Sequence, residues 1–266
     1  VWPMLHVDDG TVGTYEFDGS SGFDNPVVVN GQVASTPIWT VPHVRVLDQI
    51  VMHGDGMDMG GTPTVTVQSA LCESDCFVVI HQEADGSFGG VAGVSDPLPA
   101  GLSTNFQIEL DPAMVTPRLW PMLHVDDGAV GTYEFDGSSG LDNPVAVDGE
   151  VVAFPINASP AMVFSDQALG EGGTVTVRNA LIDAPGWLVI HAADGAVLGQ
   201  QLLHPGANWN VSIAIDPALA GEMVQPMLHY DTGEIGVYEF GSVEGADLPT
   251  SVAGDIVVAP LNITAE

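Results

Sequence analysis

WPMLHVDDGTVGTYEFDGSSGFDNPVVV, residues 2–29, returns at residues 120–147 with three substitutions, and a looser copy, PMLHYDTGEIGVYEF, runs from Pro226 to Phe240. The chain is a tandem repeat. Pro3 and Pro121 lie 118 residues apart, and Pro121 and Pro226 lie 105 apart. That period matches a β-sandwich domain of about 100 residues and is far longer than a solenoid coil.

Each unit divides at the PMLH motif. Second halves occupy residues 1–42, 119–159 and 226–264, whereas first halves occur only at 43–118 and 160–225. The expected organisation is therefore all-β: two complete Ig-like β-sandwich repeats, 43–159 and 160–266, preceded by a half-domain, 1–42, that needs a partner. An incomplete sandwich exposes unpaired edges and apolar faces. Trp2, Tyr15, Phe17, Ile38 and Trp39 are the candidate assembly residues of that half. Its cover is expected from the upstream part of a longer repeat chain, from another protein, or from copies of the same chain in a homopolymer, supplied by strand complementation. Head-to-tail completion among identical chains leaves one half over, because each copy brings three second halves and two first halves.

Lysine is absent, arginine occurs three times, and 35 acidic residues set a formal charge of −32. A phosphate backbone requires cationic neutralisation, so nucleic acid is excluded as a natural partner. Self-repulsion on this scale is relieved by molar salt, where the screening length falls to about 3 Å. The composition points to a salty, divalent-rich or acidic exterior. Charged residues make up only 14% and hydrophobic residues 45%, enough to build cores rather than a disordered acidic tail. No apolar run of about 18 residues occurs, so no membrane span is expected, and no signal peptide is present in this span.

Short β-rich runs alternate with turns, and no helical periodicity of useful length appears. In the first complete repeat, strands are expected at His43–Val51, Thr62–Ser69, Phe77–His81, Phe88–Val94, Ser103–Leu110, Leu119–Val125, Val130–Phe135, Val145–Val147 and Val151–Ile156. The orphan half offers Gly13–Phe17 and Thr36–Val41. Asp-Gly pairs at 85, 127, 136, 148 and 194 supply the turns. The segment Gly54–Gly61, acidic and methionine-containing, has no counterpart in the second repeat.

Cys72 and Cys76 lie in LCESDCFVVIH, which aligns without gaps to LIDAPGWLVIH at 181–191. A disulfide across this short turn suits an oxidising exterior, and a metal or redox pair is the alternative. Asn157, Asn210 and Asn262 head sequons, consistent with a surface glycoprotein.

Each repeat carries a histidine in VIH, His81 or His191, and another in MLH, His124 or His229. Together with Asp126, Asp127 or Asp231 these could hold a transition metal. Alternatively each imidazole is a buried cap tying a strand to a turn. The acidic loop supplies hard oxygens, Asp8, Asp9, Glu16, Asp18 and Asp24, repeated as Asp126, Asp127, Glu134, Asp136 and Asp142. Calcium is the cofactor such a set would take, with solvated Asx turns as the alternative. The spacing is not that of an EF-hand. No nucleophile elbow, phosphate loop, dinucleotide fingerprint or HExxH motif is present, and no active site is read.

With PGWLVIHAADGAVLG, PMLHYDTGEIGVYEF and the Asp166-Gln167 pair together, the unit resembles an uncharacterised repeat domain of secreted and cell-surface proteins from halophilic archaea and filamentous green bacteria. The resemblance implies surface location and a sandwich fold, and it brings no catalytic residues. The expected function is an extracellular, non-enzymatic structural repeat protein, part of a filament, sheath, stalk or surface layer (S-layer). A metal-binding or adhesive cell-surface module is the alternative.

Overall fold

The computed structural model describes residues 1–20, 22–29, 32–35, 40–55 and 60–264. Within the orphan half, β1 (Val28–Val29) and β2 (Gln32–Val33) form a small ladder. The first repeat contains β3 (His43–Arg45), β4 (Thr64–Cys72), β5 (Cys76–Ala84), β6 (Ser87–Val94), β7 (Gly101–Glu109), β8 (Arg118–Val125), β9 (Ala146–Val147), β10 (Glu150–Val151) and β11 (Ile156–Asn157). The second contains β12 (Ala161–Val163), β13 (Thr174–Ile182), β14 (Gly186–Ala192), β15 (Val197–Leu203), β16 (Gly206–Ala214), β17 (Met223–Tyr230), β18 (Ser251–Val252), β19 (Asp255–Ile256) and β20 (Leu261–Asn262). Among the described residues, helix is confined to single turns at Pro112–Met114 and Pro217–Ala220, each started by an Asp side chain and a proline.

Each repeat is a three-on-four sandwich. Sheet β3-β4-β7 faces β11-β8-β5-β6, and β12-β13-β16 faces β15-β14-β17-β20. Relative to the immunoglobulin constant arrangement, the fourth strand has moved to the sheet of the third. The tight turn of Asp85 and Gly86 directs this, since both residues adopt left-handed backbone, φ 52° and 79°, the geometry of a two-residue hairpin. Alternation in β4 sends Val65 and Val67 inward to meet Val78, Ile80, Leu119 and Leu123 of the facing sheet. Burying each such side chain stabilises the fold by about 1.5–3 kcal/mol.

β5 is apolar on both faces, and the reason lies outside the sandwich. Phe77, Val79 and Met122 project from the outer face of β5 and β8, yet are 2% exposed or less. They are covered by the loop after β8: the Tyr133 ring meets Phe77 edge-on at 5.5 Å, and Phe135 meets His124 at 5.0 Å. This corrects the strand expected at Val130–Phe135 and its copy at Gly13–Phe17, neither of which is strand. Their aromatic alternation serves a lid on the sheet instead of a ladder within it. The first strand is also shorter than the expected His43–Val51, because beyond Arg45 the chain turns to Asp48 and Gln49, whose side chains bond neighbouring strands. Of the expected strand Thr36–Val41, residues 36–39, including Ile38 and Trp39, lie outside the described residues.

Among the described residues, the segment from Met4 to Ser35 keeps the register of a complete repeat on one side. Met4 bridges Ser35 and His6 bridges Pro26, just as Met122 bridges Ala153 and His124 bridges Pro144. In the complete repeat the other edge of β8 pairs with β5 along its whole length. No strand among the described residues pairs with that edge of Pro3–Val7. Leu5 is 65% exposed where Leu123 is 0%, and Met4 is 45% exposed where Met122 is 0%.

Candidate functional site

On the outer face of each four-stranded sheet, the VIH and MLH histidines meet. His81 stands at the end of the apolar run of β5 and His124 near the end of β8, and period-two alternation puts both on the lid side. Their rings stack with centres 5.7 Å apart and planes 20° from parallel; His191 and His229 repeat this at 5.7 Å and 29°. All four residues are 5% exposed or less.

Each ring is fixed by a main-chain carbonyl. Nδ1 lies 2.8 Å from Gly89 O in His81, 2.6 Å from Asp142 O in His124, 3.0 Å from Gly195 O in His191 and 2.7 Å from Asp247 O in His229. A carbonyl only accepts, so Nδ1 carries the proton and, in the neutral ring, Nε2 carries a lone pair. Every one of the four Nε2 atoms is buried without a hydrogen-bond partner among the described residues. A buried acceptor left unsatisfied costs about 1–3 kcal/mol. Burial pushes His124 down to about 4 and lowers His81 and His229, against the opposing effect of the carbonyl bonds.

The lid closes on this pair through its own carboxylates. Asp142, fully buried, accepts from Asp127 N at 2.9 Å and Glu134 N at 2.5 Å, and its own amide donates to Asp127 Oδ1 at 2.7 Å. Asp126 accepts from Gly131 N at 2.8 Å, and Glu134 from Ala129 N at 2.7 Å. Asp24 and Asp247 hold the other two copies, and Asp24 is lowered chiefly by the Glu16 amide. Asp136 is pulled down to about 2 by the amides of Ser139 and Ser138. Tyr133 and Tyr238 are pushed up to about 12, first by burial and then by Asp142 and Asp247.

The sequence-derived candidates thus separate. His81 joins His124, and His191 joins His229. Asp126, Asp127 and Asp231 stay with the lid backbone; Asp231 also accepts from Trp187 Nε1 at 3.3 Å. Among the described residues, no three of His, Cys, Asp and Glu gather as a cation site. The carboxylates of the calcium set accept hydrogen bonds from local backbone N–H groups. Cys72 and Cys76 form a disulfide between β4 and β5. Asn210 and Asn262 are exposed, whereas the Asn157 side chain donates to Asp48 Oδ2 at 3.1 Å. Trp2 and Tyr15 are exposed and Phe17 is half-buried. The His6 ring lies between Tyr15 and Phe17.

A second feature was missed from sequence: a clasp between the two repeats. Asp48 accepts from Asn157 N and, across the junction, from Asn179 Nδ2 at 3.0 Å. Gly54 N donates to Asp183 Oδ2 at 2.8 Å, with His53 Nδ1 3.4 Å from the same oxygen. Asp55 accepts from Ala253 N at 3.0 Å and Gly254 N at 2.7 Å. A Cβ on Gly54 would meet Tyr230 Oη at 2.1 Å and Ser251 O at 2.9 Å, so only glycine fits. The signal was the segment beginning at Gly54 that the second repeat lacks: its first two residues reach across to that repeat. The Asp-Gln pair is likewise explained, since Gln49 and Gln167 bond Thr66 and Thr176 while Asp166 holds Asn262.

A family model described as a domain of unknown function (DUF7282) matches the chain twice, over residues 54–158 and 160–264. No curated protein matches the chain. Among solved structures, one titled "Biofilm associated protein - BSP domain" aligns over 84% of this chain at 12% identity with a TM-score of 0.29; the chain spans 29% of that structure's length. Among the described residues, no helix is long and apolar enough to cross a membrane.

Proposed function

The chain belongs to this family of domains of unknown function, carried twice in tandem, and on that premise we propose that it is an extracellular structural repeat protein, a segment of a filament, sheath, stalk or surface layer. The observation that carries the reading is near-identical sandwich units set in tandem: residues 2–29 return at 120–147 with three substitutions, which suits a material built from many equivalent contacts.

The clasp supports the same reading, because a load-bearing array requires repeats that do not swing freely. The Cys72–Cys76 disulfide and the lysine-free acidic surface favour a salty, oxidising exterior. The role is structural rather than catalytic. Electron microscopy and sedimentation of the full chain in molar salt test it: ordered fibres or lattices are expected. Monodisperse wild-type chain at high concentration refutes the reading.

A further inference from the structure

We infer that each complete repeat binds one soft monovalent cation, Cu(I), between its paired histidines: His81 and His124 in the first repeat, His191 and His229 in the second. The reasoning begins with the four Nε2 atoms. All are buried, all carry lone pairs because Nδ1 is committed to a carbonyl, and none has a partner among the described residues. An Nδ1–H held by a backbone carbonyl is the outer-shell arrangement that orients a metal-ligating imidazole and raises its basicity. A purely structural cap needs the Nδ1 bond alone. It gives no reason for two histidines to meet with both Nε2 atoms buried and unpartnered among the described residues, and the arrangement is built twice.

The surroundings select the ion. Metal–nitrogen bonds of about 2 Å require the two nitrogens to approach to about 4 Å. Ring centres 5.7 Å apart are compatible with that separation. Met122 lies between the histidines on the same face of β8, two residues before His124, and Met227 holds the same place before His229. Both pair in register with a valine of the adjacent strand, Val79 or Val189. The rest of the enclosure is aromatic: Tyr133, Phe135 and Phe88 in one repeat, Tyr238 and Phe240 in the other. Among the described residues no third His, Cys, Asp or Glu completes a cation site with the pair, which leaves a dication short of ligands in a largely apolar enclosure. Imidazole and thioether ligands at low coordination number suit Cu(I). A tryptophan stands opposite one histidine of each pair in register, Trp120 across from His81 and Trp187 across from His229, which supplies an optical reporter.

The test is anaerobic titration of the full chain with Cu(I) against a chromogenic Cu(I) chelator. Two equivalents per chain are expected, with quenching of tryptophan fluorescence. His81→Asn with His124→Asn removes one equivalent, and His191→Asn with His229→Asn removes the other. Imidazole ¹⁵N spectra of the wild-type protein keep the proposal testable even where a variant fails to fold. On Cu(I) addition the Nε2 resonances of these four histidines shift while their Nδ1 resonances stay protonated. The proposal is overturned if the wild-type chain yields all its Cu(I) to the chelator, which leaves a bridging water as the group that satisfies the pair. It is equally overturned if Cu(I) moves only His6, His43, His53 or His204.

Discussion

Lowering the pH from 7 to 4 bears on His81, His124 and His229, all held below the usual imidazole range by burial. Burial first, partly opposed by the Asp142 carbonyl, depresses His124 from 6.5 to about 4. Between those values the unfolded chain binds a proton that the folded chain refuses, so stability rises with pH across the window. The stabilisation is complete above about 6.5 and is lost as pH falls toward 4. At 1.36 kcal/mol per unit, His124 alone accounts for about 3 kcal/mol. His81 and His229 are displaced in the same direction and add to it. The opposing trend is relief of self-repulsion as the chain nears its isoelectric point of about 4.1, so the measurement belongs in about 1 M sodium chloride, where screening shortens to about 3 Å. Urea midpoints at pH 8, 7, 6, 5 and 4.5 should fall steadily below pH 6.5, and His81→Gln with His124→Gln should flatten the slope. The carboxylates Asp24, Asp136 and Asp166, all lowered, act only at more acid pH. A midpoint that is flat or rising between pH 6.5 and 4.5 would refute the reasoning.

Leu123→Ala should cost about 2–5 kcal/mol of stability in chemical denaturation, the range for a fully buried leucine, whereas Leu5→Ala in dispersed protein should cost under about 0.5 kcal/mol. Equal costs would mean that the two copies share one environment after all. Gly54→Ala drives a methyl into Tyr230 and the Ser251 carbonyl and should release the clasp. Calorimetry then shows the single transition splitting into two, and small-angle scattering shows a broader distance distribution; an unchanged profile in both would remove the clasp as the source of rigidity.

Much of the fold was legible because the pattern is local. Period-two alternation in Thr62–Ser69, where β4 runs from Thr64 to Cys72, and the Asp-Gly turns could be read directly, since side-chain direction in a strand and left-handed turn backbone are set by neighbouring residues. The lid defeated the same logic. Val130–Phe135 alternates as a strand does, but its backbone groups are satisfied by Asp142, Glu134 and Asp126, so the aromatic side chains are free to cover Phe77 and His124. Of the site, the four histidines were visible as a repeated pattern, and their pairing was not. His81 and His124 are 43 residues apart and meet only because β5 and β8 are neighbours in one sheet.

Repetition, an all-β sandwich and an acidic composition without lysine are written in the order and kinds of residues, because each follows from local periodicity, from composition or from comparison of one stretch with another. Which WPMLH copy is buried, which carboxylates hold backbone amides, and where four imidazole lone pairs point follow from strand neighbours brought together across tens of residues. Identical residues 2–10 and 120–128 make the division plain: one copy has β5 beside it and the other does not.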